Sequence, residues 1–392
     1  MFEIAKWYNN YQAPSVLMID DLSDAYIDIY KEQHKNDWGY LCNDKDSAYM
    51  FLDNKLLVSF PKIKITFFVP YLKHNVIHNN TKYSHYKFSI GERKKFTLFL
   101  KGLVKKGHEI SHHGSNHGEY IHDDPIKSDF KHEWELFKST EEGVATTRNG
   151  IEVFKEILNI NISGGKFCGY MMRGNSLVII DKCAFLYWSD KVNYLTKDYK
   201  ENFFGENGII LFPTNYPGNS FIRLSYKTGN KKRDMLKNIT KFFQPVYNII
   251  SYYKLYKLYT HQDIISIQEH YSPSSTRGRD QSLNIVTDIK SLNKIYTFLG
   301  KLSIWYATCE EIAQYIYVRE NSIVNINNTE LVISFTNKKN LSNASITLIN
   351  TEEFILSNSK KVFKSVMNNK YHVINLPINN EKNIFNILRK DG

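Results

Sequence analysis

The chain of 392 residues has little cysteine, no long apolar run and no dense block of one charge. Its four cysteines, Cys42, Cys168, Cys183 and Cys309, lie far apart with no C-x-x-C pair. That excludes a cysteine zinc site and a disulfide framework, and it points to a reducing compartment, most simply the cytoplasm. The N-terminus, MFEIAKWYNNYQAPSVLMIDD, lacks the basic head and apolar core of a signal peptide. No window approaches the roughly 20 apolar residues that a membrane span requires. The net charge of +11 would attract polyanions. However, the basic residues are scattered, and the densest runs, GERKKF and GNKKRDMLKN (Gly229–Asn238), read as solvated surface. No nucleic-acid-reading module is matched, so nucleic acid is not an expected partner.

What is present is ordinary globular composition, 42% hydrophobic and 23% charged, with length enough for one large domain and a smaller one. Tyr (27) and Phe (24) are abundant, as in sugar-binding proteins, although an AT-biased coding sequence yields the same excess. Up to about residue 320, β-rich runs alternate with segments of helical period. The strand candidates are SVLMIDD, KIKITFFVPYL, HEIS, KFCGYMM, AFLYWSD and GIILFPT. RKKFTLFLKGLVKK has helical spacing with Gly107 placed as a C-cap, and EWELFKSTEEGVATTRNGIEVFKEIL reads as a helix broken near Gly143. Thr308 and Glu311 form a capping-box pattern that opens a further helix. Strands alternating with helices imply βα units around a parallel sheet or barrel. After Asn321 the runs become short and alternating. This places an α/β barrel domain over residues 1–320 and a small β-rich domain over 321–392.

Four of the thirteen histidines fall in GHEISHHGSNHGE, Gly107 to Glu119. His108/His112 and His113/His117 are each spaced i, i+4, so either pair can bring two imidazoles together as half of a divalent-metal site; a solvated polar loop is the plain alternative. Asp20 and Asp21 end the first apolar run, and active sites of parallel sheets form at the carboxyl ends of strands. One Asp and two His with a position left open is a catalytic metal pattern. A second carboxylate beside the bound water would be a general base.

With these residues in view, the chain resembles the polysaccharide deacetylase family, metal-dependent carbohydrate esterases that remove N- or O-acetyl groups from sugars. VLMIDD resembles the family's Asp-Asp strand, ITFFVP its Thr-Phe-Phe strand, and GHEISHHGSNH the stretch leading into its His-x-x-x-His pair. MMRGNS falls where an arginine motif is expected, and YTHQD where a late histidine follows an apolar run. The similarity spans about residues 14–320. It implies a distorted (β/α) barrel, an acetylated carbohydrate as substrate and a divalent cation, Zn²⁺ first with Co²⁺ or Ni²⁺ as alternatives. By this resemblance the ligands are Asp21, His113 and His117, with His108 a structural strand residue and His112 a bystander or substrate contact. Asp20 is the base, Arg173 holds it, and His261 protonates the leaving group, with His270 and Glu269 as competitors. Trp188 and Asp190 would wall the sugar site. Departures from the family pattern are Gly114 after the first ligand histidine and RGNS in place of a proline- and aromatic-containing motif. The second leaves the oxyanion donor unassigned and admits a catalytically silent, glycan-binding relative. The stretch between Asp21 and Thr66 is long, and HKNDWGYLCNDKDSAYMF inside it is a candidate lid or substrate wall.

Overall fold

The computed structural model describes residues 2–22, 27–28, 33–34, 48–72, 89–92, 94–116, 118–120, 130–190, 203–224, 235, 240–270, 284–327, 329–336, 339, 341, 344–378 and 381–388. A ten-stranded sheet, curled as a half-barrel, organises the first four-fifths of the chain. Its strands are β1 (Ala13–Asp20), β2 (Ile65–Val69), β3 (Glu109–His112), β4 (Gly164–Lys166), β5 (Tyr187–Asp190), β6 (Ile209–Pro213), β7 (Tyr216–Pro217), β8 (Ile265–His270) and β9 (Ile304–Tyr306), with Phe203–Phe204 at one edge. The spatial order is Phe203–Phe204, β6, β5, β4, β3, β2, β1, β8, β7, with β9 also on β1. All neighbours are parallel except Phe203–Phe204, which runs against β6.

β1 is the centre of this sheet, and all eight of its residues are buried, as expected for a strand covered on both faces. The two-residue period of the strand sends Leu17 and Ile19 to one core and Val16 and Met18 to another. The first core lies under the helices α1 (Lys94–Lys105), α2 (Thr140–Leu158), α3 (Ser176–Lys182), α4 (Gln244–Thr260) and α5 (Asn284–Leu299). The second is shared with α6 (Cys309–Glu320) and the antiparallel strands that follow it.

Several local expectations correspond to observed elements. Gly107 follows α1 at φ +81, and Thr308 and Glu311 cap α6 reciprocally. The helix break differs: Gly143 lies inside α2, and the interruption falls at Phe137–Ser139, where Ser139 accepts a hydrogen bond from the Glu142 N–H and starts a new helix. After α6, a five-stranded and a four-stranded antiparallel sheet share the second core through Ile333, Leu356, Leu348 and Leu376. The N-terminal residues Glu3–Ile4 join the four-stranded sheet, pairing with Ser345–Asn350. Of the candidate lid, His34 and the helical residues 48–51 are described, while residues 35–47, with Cys42, lie outside the described residues. Among the described residues, no helix is long and apolar enough to cross a membrane.

Candidate active site

Because the strands are parallel, the side chains that end them collect on one rim. Asp20 closes β1, Lys166 closes β4 and His270 closes β8, with His270 in register beside Asp20. Lys166 is fully buried, and its Nζ lies 2.8 Å from Asp20 Oδ2 and 3.1 Å from Oδ1. The same ammonium donates to Gln268 Oε1, which also accepts from the Tyr170 hydroxyl at 3.2 Å, and it lies 4.7 Å from the Tyr170 ring centroid. Burial by itself would push the Lys166 pKa down. The Asp20 carboxylate and the Tyr170 hydroxyl outweigh burial and hold it above the ordinary lysine value. His270 Nε2 stands 3.6 Å from Asp20 Oδ2, and desolvation lowers its pKa against the opposing pull of Asp20 and Asp21.

Asp21 leaves the strand in the left-handed region, φ +64. A non-glycine residue there costs on the order of 1 kcal/mol, and aspartate tolerates it better than most. The turn separates the two adjacent carboxylates: Asp20 meets Lys166, and Asp21 Oδ1 meets His113 Nε2 at 3.2 Å. His113 is wholly buried, and its Nδ1 is 3.1 Å from the Lys166 carbonyl oxygen. That contact anchors the ring through Nδ1 and leaves Nε2 as the nitrogen facing Asp21, the orientation of a metal-ligating histidine. Two donors bound at about 2.1 Å and roughly 100° apart would themselves be about 3.2 Å apart, so the pair fits a divalent cation. His117, the third expected ligand, lies outside the described residues. Among the described residues, no group of three or more His, Cys, Asp and Glu forms a metal cluster.

The other two histidines of the run are structural. His108 Nδ1 accepts from the Ile65 N–H at 3.2 Å, and burial, with Lys106 and Lys64 nearby, lowers its pKa to about 4. His112 Nδ1 accepts from the Gly114 N–H at 3.0 Å, and burial, with His113 beside it, lowers its pKa to about 3. Gly114 itself is required: at φ +74, a Cβ would lie 2.2 Å from Glu133 Oε2, the oxygen that accepts the Ser115 N–H at 2.6 Å. A Ser or Thr at this position would displace Glu133 from that contact.

Three sequence expectations are relocated. Arg173 is exposed, with its backbone N–H bonded to Ser176 Oγ; the cation that holds Asp20 is Lys166. His261 is exposed at the C-cap of α4, where its carbonyl accepts from Lys6 Nζ. It precedes β8, whereas Asp20 lies beside the last residue of that strand, about 17 Å further along. The histidine at the rim is therefore His270, the competitor named from the sequence. Trp188 is completely buried in an aromatic core, its ring 4.9 Å from Phe185, 5.4 Å from Phe167 and 5.5 Å from Trp134, so it offers no face to a sugar. Asp190 ends β5 on the same rim and is partly exposed there. The sequence signal for the missed residue, Lys166, was slight: a charge after two glycines in GGK.

No family model matches the chain, and no curated protein does. Solved structures similar to it include a protein described as a polysaccharide deacetylase from Mycobacterium smegmatis, at 15% identity over 79% of this chain and 92% of that one, with a TM-score of 0.39. A family 4 acetyl xylan esterase from Clostridium thermocellum, solved with a cobalt ion, is 10% identical over 76% of this chain and 90% of that one, with a TM-score of 0.35. A CE4 family pseudoenzyme from Bacillus anthracis is 10% identical over 78% of this chain and 66% of that one, also with a TM-score of 0.35.

Proposed function

We propose that this protein is a metal-dependent hydrolase that removes an N- or O-linked acetyl group from a carbohydrate. The observation that supports this most is the buried Asp20–Lys166 ion pair, set on one rim with His270 and with the Asp21–His113 pair. In this reading Asp21 and His113, with His117, hold a divalent cation, Zn²⁺ first and Co²⁺ or Ni²⁺ as alternatives. When bound, the cation polarises the acetyl carbonyl and acidifies a water. Asp20 takes the proton of the attacking water. Lys166 pairs with Asp20 and fixes its direction, as a point charge rather than the planar fork an arginine would offer. His270, beside Asp20, delivers a proton to the departing nitrogen or oxygen. Asp190 faces the sugar from the β5 end of the rim, and the chemistry takes place in the cytoplasm on a small sugar derivative. Acetate release across a panel of acetylated mono- and oligosaccharides, with metal content measured on the same sample, tests the reading. Absence of stoichiometric metal together with no gain of activity from Zn²⁺, Co²⁺ or Ni²⁺ would overturn it.

A second reading, a catalytically silent glycan-binding protein, is favoured by one observation: the RGNS segment carries its arginine into solvent, away from Asp20. Glycan binding with bound metal but without acetate release would select it.

A further inference from the structure

Helix α4 is unlike the other helices that cover the sheet. Its buried side is narrow, formed by Ser251, Leu255 and Leu258, while a broad apolar and aromatic stripe faces solvent. Phe242 is 75% exposed, Ile249 68% and Tyr253 65%, with Phe243, Val246 and Tyr256 completing the stripe. A 3.6-residue period places Val246, Ile249 and Tyr253 on one line, with Lys257 among them and Lys254 at its border. Lys241, Lys254 and Lys257 are all exposed, and from Met235 to Gln262 the chain carries no Asp or Glu. The helix is roughly 26 Å long. It leads directly into the start of β8 and so runs against the strands, which sets Phe242 and Phe243 at the level of the strand ends that carry Asp20.

We propose that this face of α4 docks on an anionic lipid bilayer and brings the rim that carries Asp20 to the membrane surface. Aromatic and aliphatic side chains on one face of a surface helix enter the boundary between headgroups and acyl chains. Lysines among them extend their ammonium groups to lipid phosphates. Protein interfaces are depleted in lysine, which weighs against a protein occupant of the same stripe. The proposal does not depend on the deacetylase reading, because it concerns only where the molecule sits.

Flotation of the purified full chain with two kinds of vesicle tests it: phosphatidylglycerol and phosphatidylcholine in equal parts, and phosphatidylcholine alone. The chain should float with the anionic vesicles, and less so as salt is raised. F242S/F243S/I249S should lower partitioning at least about tenfold with no fall in Tm, since all three side chains lie in solvent. K241Q/K254Q/K257Q should lower it about a hundredfold and remove the preference for anionic lipid; it carries the test by itself should the first variant fold poorly. The proposal is overturned if the wild type ignores both kinds of vesicle or if neither variant changes partitioning. It is equally overturned if the wild type is a solution dimer that F242S/F243S/I249S dissolves, since a second copy would then cover the stripe.

Discussion

The two ends of the parallel sheet bury polar groups in opposite ways. At the carboxyl rim, Asp20 and Lys166 are paired at 2.8 Å, and Asp21 and His113 face one another across 3.2 Å. At the amino end, Glu109 accepts from the Thr66 hydroxyl at 2.8 Å, the Tyr187 hydroxyl at 2.7 Å and the Glu310 N–H at 3.0 Å. The Cys309 N–H in turn donates to Thr66 Oγ1, so this network caps α6 and fastens it into the half-barrel. Burial, with the Glu310 carboxylate nearby, raises the Glu109 pKa to about 8 despite its three donors. The same sheet thus carries an ion pair where chemistry is proposed and a carboxyl group surrounded by hydrogen-bond donors where only cohesion is needed.

That contrast can be broken from either end. Asp20→Asn should leave metal content intact and lower kcat by about 10³, the range of a lost general base; undiminished acetate release would remove Asp20 from the mechanism. His270→Ala should lower kcat about a hundredfold while Tm changes little, which turnover and thermal unfolding together would show. Glu109→Ala should do the reverse: about 2–3 kcal/mol lost in urea unfolding, from donors left without an acceptor, with turnover per folded molecule unchanged. The acidic end also predicts a pH dependence. The Glu109 pKa is raised by folding, so its contribution to stability is complete below its unfolded value and is lost as pH climbs through about 8. Stability should therefore fall between about pH 4.5 and 8, and Glu109→Gln should flatten that slope in unfolding measured across the range. The smallest effects belong to His261→Ala and Arg173→Ala: kcat within about twofold and stability within about 0.5 kcal/mol, as for exposed surface positions.

What could be read from the sequence depended on whether an apolar run was a strand. VLMIDD announced both rim carboxylates because a fully buried parallel strand is a continuous apolar run whose end is the rim. The run ending at His261 looked the same but is α4, and a helix that feeds a parallel strand ends at the opposite side of the sheet. ISIQEH, only six residues long and half polar, is the strand that reaches the rim. Lys166 was hidden for a tertiary reason. Its strand begins with two glycines, poor strand formers, because a Cβ on Gly165 would lie 2.2 Å from the Trp188 ring. The ring that takes this space belongs to a residue expected to touch sugar. The capping box of α6 and the small antiparallel strands were legible because they rest on local pattern, whereas the pairing of Glu3–Ile4 with Ser345–Asn350 joins the two ends of the chain and leaves no local trace.

Lys166 performs two tasks with two parts of one residue. Its ammonium steers Asp20, and its carbonyl steers His113. A shift of β4 along the sheet would therefore move the Asp20 carboxylate and the imidazole in lockstep. An engineer who wished to retune one without the other would have to work from the side-chain tip alone, since the backbone of this single position is common property of both.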